Sequence, residues 1–299
     1  MKYTDFITAV KECVESKLNG SESEVRINKV FKVNDTELDG ISIFNKNCLC
    51  SPTVYLNDFY DMHQSSSLSV EEAADIIIRI NRENKDQIPY DMKMLDDFES
   101  ARKHITYKLV NTALNSLVIK DAPHREIFDL SFLYYITVVT EGNGVYSSKI
   151  TWQLMEKWNI TEEILYELAE QNTRDILGVE IININDIIDM SSILNKDINK
   201  DISSIPMFIM SNRIRNCGAN VMFYTDILNE FSKSLNSDLY IIPSSVHEVI
   251  LLPADNYHNI DYMNKMIEQV NDQIDLPDIL SDHIYLFSRE EGIKWPKAS

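Results

Sequence analysis

The sequence predicts an α+β fold, with mixed or antiparallel sheets and packed helices arranged as two subdomains. Two hairpin-like pairs of alternating segments argue for antiparallel pairing, because their connections are far shorter than the dozen or more residues of a parallel crossover. Helical and extended segments then follow one another irregularly instead of in strict βαβ order.

Tyr3–Leu18 sets Phe6, Val10, Cys13, Val14 and Leu18 at three- and four-residue spacing, which predicts an amphipathic helix stopped by Asn19-Gly20. Glu24–Val33 and Glu37–Phe44 alternate, and Asn34-Asp35 between them supplies a turn, so the pair predicts a β-hairpin. Pro52–Tyr60 reads as a third strand. Ser69 and Glu72 have capping-box spacing ahead of Ala73, Ile76, Ile77 and Ile80, the buried stripe of the next helix. A short helix is expected over Met94–Ala101, and extended segments over Ile105–Leu109 and Ser116–Ile119, the Asn-rich piece between them being alternatively a turn.

Asp129–Val139 is dense in aromatic and β-branched residues and predicts a buried strand, followed by a turn at Glu141–Gly144 and an extended Val145–Ile150. Thr161 caps a helix running through Gln171. Ile181–Lys200 shows no clean period, and a short helix followed by an exposed connection is expected. In the last hundred residues strands are expected at Met207–Ser211, Asp238–Ile242, Glu248–Leu252 and His283–Phe287, with helices at Thr225–Leu235 and Ile260–Ile274. The Asp238 and Glu248 strands pair antiparallel through Pro243-Ser244-Ser245. The domain reading is an N-terminal α+β domain over 1–200 and a C-terminal α+β domain over 201–299. No internal repeat is visible.

A chain of 299 residues with 44% hydrophobic residues suffices for a sizeable core, and seven glycines and eight prolines argue against low complexity. The balance of 28 Lys and Arg against 47 Asp and Glu, a net charge of −19, disfavours direct nucleic-acid binding, because phosphate contacts require cations. An acidic surface solubilises the chain, or meets a basic protein partner. No basic segment followed by an apolar one opens the sequence, and no run approaches the roughly 18 apolar residues of a membrane span, so a cytoplasmic protein with no membrane contact is expected. Cys13, Cys48, Cys50 and Cys217 read as reduced thiols, since Cys48-Leu49-Cys50 has no second pair to complete a metal site.

Pro123-His124-Arg125 with Phe128-Asp129-Leu130, Trp158, Asn172-Thr173, Ser211-Asn212, Cys217-Gly218-Ala219 and Pro243-Ser244-Ser245-Val246-His247-Glu248-Val249 form a set of short segments spread over most of the chain. Together they resemble an uncharacterised domain-of-unknown-function family common in gut clostridia. The resemblance implies a bacterial, cytoplasmic α+β protein of the kind carried by mobile elements, and implies no activity.

His247 and Glu248 follow a Pro-Ser-Ser turn and are an acid–base candidate, though a strand would point them to opposite faces. The structural alternative has Ser244 or Ser245 closing the turn and His247 pinning the strand. Cys217 beside Gly218 is a nucleophile candidate with His247 as base, against an inert thiol. His124, Arg125, Arg213 and Arg215 are candidates for anion binding or interaction, with an Arg125–Asp129 ion pair expected. No cofactor or metal is expected: glycine-rich nucleotide loops and the Gly-x-Ser-x-Gly elbow are missing, and Asp186, Asp189, Asp197 and Asp201 do not follow calcium-loop spacing.

Three functions follow as expectations. The first is a non-enzymatic interaction module, specifically an inhibitor occupying the nucleic-acid site of a bacterial defence or DNA-handling protein. The second is a hydrolase or transferase using His247 and Glu248, which requires their convergence with Cys217 or Arg213 in one pocket. The third is a small-ligand sensing domain, which requires an apolar cavity in the C-terminal half.

Overall fold

The N-terminal periodicity becomes helix α1, Tyr3–Lys17, which buries Phe6, Val10 and Val14. The computed structural model describes residues 1–19, 22–45, 51–84, 93–140, 144–186, 206–254 and 259–296, and its chain divides into two compact units, Met1–Phe98 and Glu99–Ser299.

In the first unit, β1 (Ser23–Phe31) and β2 (Glu37–Asn45) form the expected hairpin in the register Val25↔Ile43 and Ile27↔Ile41. Its turn places Asn34 and Asp35 at φ 58° and 47°, a left-handed geometry that Asn and Asp tolerate better than most residues. The third strand is shorter than expected. β3 covers only Thr53–Tyr55, and helix α2 (Asn57–Gln64) begins where continued extension was predicted. Leu56 turns inward, fully buried, and the Asn57 side chain accepts a hydrogen bond from the Asp39 amide at 3.1 Å, which ends the ladder.

The capping box forms in full ahead of α3 (Val70–Asn84): the Glu72 amide donates to Ser69 Oγ at 3.2 Å, and the Ser69 amide donates back to the Glu72 carboxylate at 2.9 Å. The Ser69 amide, together with the Ser69 hydroxyl that donates to the same carboxylate at 2.7 Å, holds the Glu72 carboxyl below its usual range. Ala73, Ala74 and Ile77 of α3 then pack with Phe6, Ile41, Ile43 and Leu56 as the core.

The short helices α4 (Lys93–Asp96) and α5 (Phe98–Ala101) lead to β4, Ile105–Asn111. The segment expected to be extended at Ser116–Ile119 is instead helix α6, Ser116–Lys120. The asparagines decide it: Asn111 Oδ1 accepts from the Leu114 amide at 3.0 Å, and Asn115 Nδ2 donates to the Asn111 carbonyl at 2.7 Å, so the chain coils before α6 starts.

β5 (His124–Ile127) was not anticipated; it pairs with β6 (Leu130–Val139) through a two-residue turn with Phe128 at φ 58°. β6 is the centre of a four-stranded antiparallel sheet, with β4 on one side and β5 and β7 (Val145–Lys149) sharing the other. Helix α7 (Trp152–Trp158) is capped by Thr151, whose hydroxyl accepts from the Leu154 amide at 3.3 Å. α8 spans Glu162–Leu177, beyond the expected end at Gln171, and stops at Gly178 with φ 64°.

The short helix expected within Ile181–Lys200 begins only at residue 184, because strand β8, Glu180–Asn183, occupies the start of that segment; residues 187–200 lie outside the described residues. The register of β8 with β9 (Phe208–Ser211), Ile181↔Met210, explains the change, since branched Ile side chains suit a pleated partner. Helix α9 (Thr225–Leu235), β10 (Leu239–Pro243), β11 (Val249–Pro253), helix α10 (Ile260–Asn271), β12 (Tyr285–Ser288) and β13 (Gly292–Lys294) complete the unit. The six strands order as β13-β12-β10-β11-β9-β8, all antiparallel, with Tyr240↔Leu252 fixing the predicted central hairpin.

The fold is therefore α+β, with three antiparallel sheets among the described residues. The boundary expected near residue 200 lies outside those residues, as do Cys48, Cys50, Asp189, Asp197 and Asp201; β8 and β9, on either side of that boundary, are neighbours in one sheet. Among the described residues no helix is long and apolar enough to cross a membrane.

Candidate functional site

Two turns of the second unit meet at His247. One leaves β9 at Ser211-Asn212 and re-enters a 3-10 helix at Gly218–Phe223; the other joins β10 to β11 through Ser244–Glu248. Asn212 shapes the first turn: its Oδ1 accepts from the amides of Ile214 at 3.2 Å and Asn216 at 3.3 Å, and its Nδ2 donates to the Asn216 carbonyl at 2.9 Å. Arg215 and Cys217 take left-handed φ of 55° and 49° as a result. Gly218 then has no room for a side chain, because a Cβ there would stand 2.3 Å from Ser211 Oγ and 2.7 Å from both the Asn212 nitrogen and the His247 carbonyl oxygen.

The second turn docks by its backbone. The His247 carbonyl accepts from Ser211 Oγ at 2.7 Å and from the Gly218 amide at 3.1 Å, and the Val246 carbonyl accepts from the Ala219 amide at 3.2 Å. The imidazole is held as well: Nδ1 accepts from the Cys217 amide at 3.1 Å, which leaves the ring proton on Nε2, 3.3 Å from Asp278 Oδ1. Asp278 is anchored by its own carbonyl, which accepts from the Val246 amide at 2.9 Å.

This geometry brings His247 and Cys217 together without making them a base and nucleophile. The lone pair of His247 nearest Cys217 is taken by a backbone amide, and burial raises the Cys217 thiol above its ordinary value, with Lys108 opposing and Asp278 adding to the rise. Glu248 precedes β11 in the connection, where its carbonyl accepts from the Ser245 amide at 3.3 Å. His247 and Glu248 therefore do not alternate across a strand as expected.

Of the basic candidates, Arg213 and Arg215 lie in the first turn itself, whereas His124 and Arg125 lie on β5. Arg125 donates from Nε to Glu162 at 3.1 Å and from a terminal nitrogen at 2.7 Å, lies 4.0 Å over the Tyr166 ring, and shares Glu162 with the Tyr134 hydroxyl. The expected Arg125–Asp129 pair is replaced by this one. Asp129 sits in the hairpin turn and accepts from Tyr285 OH at 2.5 Å and Ser281 Oγ at 2.7 Å. His124 donates from Nδ1 to the Ala122 carbonyl at 3.0 Å. Arg215 pairs with Glu180 at 2.8 Å, and the exposed Arg213 runs alongside Gly178. Asp278 was missed in the sequence, where a lone Asp after Leu276-Pro277 carries no signal beyond a turn.

A second feature is an apolar groove of about 290 Å³ beside α10. Met207, Ile242, Pro243, Ile250 and Leu252 of the sheet form one side, Met263, Met266, Ile267 and Val270 of α10 the other, with Ser244 and Asn271 the polar lining residues. This is the apolar cavity that the ligand-sensing alternative requires.

Together these features define an α+β protein with a hydrogen-bonded histidine node and an open apolar groove. The chain belongs to a family of unknown function, DUF5688, whose model matches residues 3–289. No curated protein and no solved structure matches it. Three of the segments that carried the resemblance, Ser211-Asn212, Cys217-Gly218-Ala219 and Pro243–Val249, are the ones that build the His247 node.

Proposed function

We propose that the chain is a non-enzymatic interaction module that meets a basic protein partner through its carboxylates. One observation carries the proposal: no Asp or Glu whose side chain is described is buried, so those carboxylates are at least partly open to solvent in a chain of net charge −19. Cations that would offset it are tied up locally, as in Arg125–Glu162, Arg174–Asp226, Arg215–Glu180 and Arg289–Asp238. A field of one sign accelerates encounter with an oppositely charged surface and rejects phosphate. The use of His247 and Cys217 as hydrogen-bonding elements of a turn supports the same reading. Its specific form is an inhibitor that occupies the nucleic-acid site of a bacterial defence or DNA-handling protein, a role suited to mobile-element cargo in gut clostridia.

The test is retention of the purified chain on a panel of immobilised nucleic-acid-binding proteins. Retention at about 50 mM salt, loss by about 200 mM and competition by duplex DNA are expected. Absence of retention across the panel at the lower salt refutes the proposal.

A further inference from the structure

We propose that the groove beside α10 is a binding site for an uncharged aliphatic ligand. This goes beyond the interaction reading and is independent of it. Met207, Ile250 and Leu252 face Met263, Met266 and Val270 across about 290 Å³, room for about ten groups the size of a methylene at about 30 Å³ each. Among the described residues no charged side chain lines the groove, so an anionic head group finds no partner among them, and the net charge of −19 repels it from a distance. A fatty acid is thereby disfavoured against a neutral chain of the same length. The three methionines are unbranched and re-pack around ligands of differing shape.

Met266 and Val270 are 48% and 52% exposed at the mouth, with Tyr262 at 61% one turn before Met266, so apolar surface stands open to water beside the cavity. The volume suits a small molecule; a partner protein needs about 800 Å² per side. A second copy of the chain would bring an equal negative charge against the first.

The full chain, labelled with ¹³C-methyl methionine, is titrated with 1-hexanol, 1-octanol, 1-decanol and decanoate. Saturable shifts of the Met207, Met263 and Met266 methyls are expected, with affinity rising about fourfold per added methylene and decanoate at least about tenfold weaker than decanol. Met266→Glu, at a position 48% exposed, lowers decanol affinity about tenfold; Ile250→Trp fills the groove and does the same. Each of several results overturns the proposal: no saturable shift at these methyls, affinity independent of chain length, decanoate equal to decanol, or unchanged binding by Met266→Glu. Shifts of these methyls on simple dilution would assign the groove to self-association, and shifts produced by a basic protein but by no alcohol would assign it to that partner; both overturn it while leaving the salt-sensitive capture experiment to be judged separately.

Discussion

Gly218→Ala is the most economical probe of the His247 node. The new methyl would meet Ser211 Oγ at 2.3 Å and two backbone atoms, the Asn212 nitrogen and the His247 oxygen, at 2.7 Å. A flexible hydroxyl can swing away, but the two backbone contacts force the β9 turn and the β10–β11 turn apart. Overpacking of this kind costs about 1–3 kcal/mol. Separation also stretches the bonds from Gly218 N and Ser211 Oγ to the His247 carbonyl and from Cys217 N to Nδ1, each worth about 1 kcal/mol net. The expected total is about 4–6 kcal/mol, a fall in Tm of roughly 8–24 °C for a unit of this size. Tryptophan fluorescence isolates the effect, because all three tryptophans, Trp152, Trp158 and Trp295, lie in the second unit. Ser211→Ala combined with Gly218→Ala recovers only a minor part of the loss, since it relieves the hydroxyl contact and not the backbone ones. A Gly218→Ala protein within about 0.5 kcal/mol of the parent, the range of neutral surface changes, refutes the packing argument.

Arg125→Ala leaves Glu162 and the Tyr134 hydroxyl without their cation and destabilises the second unit by about 1–2 kcal/mol in urea unfolding; Arg125→Lys recovers less than half, because an ammonium cannot reproduce the paired bonds or lie flat on Tyr166. Ser69→Ala removes the α3 cap and costs about 1 kcal/mol, read as faster amide exchange in the first turn of α3, with Ser69→Asp restoring it. Burial foremost holds the Tyr134 and Tyr285 phenols protonated well above the unfolded value of about 10, so the unfolded chain releases protons first and stability, intact below about pH 10, falls as pH rises beyond it. Urea midpoints from pH 8, about two units below that region, to pH 11, about one unit above it, check this, and Tyr285→Phe flattens the fall. Arg174 holds the Asp226 carboxyl below its usual range, so its contribution is present above about pH 4 and is lost as pH falls further; Asp226→Asn removes that part of the acid dependence.

Periodicity and turn chemistry made much of this fold legible. The α1 stripe, the β1–β2 hairpin, the Ser69–Glu72 box and the β10–β11 pair are all set by residues of one helix or of two strands joined by a short turn, where local preference and final packing agree. The misreadings occur where the deciding partner is distant or unusual. Ile181 reads as part of a helical segment until Met210 is beside it, and Ser116–Ile119 coils because Asn111 accepts from the Leu114 amide and Asn115 bonds back to the Asn111 carbonyl. The site was half visible. His247 and Cys217 could be named as a pair, but Asp278, thirty-one residues on, and the donor role of the Cys217 amide depend on three chain segments meeting, as does the groove beside α10.

The ladder between β8 and β9 carries one more implication. Asn183 and Phe208 face each other as the last pair, so the chain leaves and re-enters the sheet at the same point. Closing a chain between two such neighbours costs an entropy that grows only logarithmically with the residues between them, about 0.6 kcal/mol per doubling, so the antiparallel pairing of β8 with β9 places little constraint on how many residues separate the two strands.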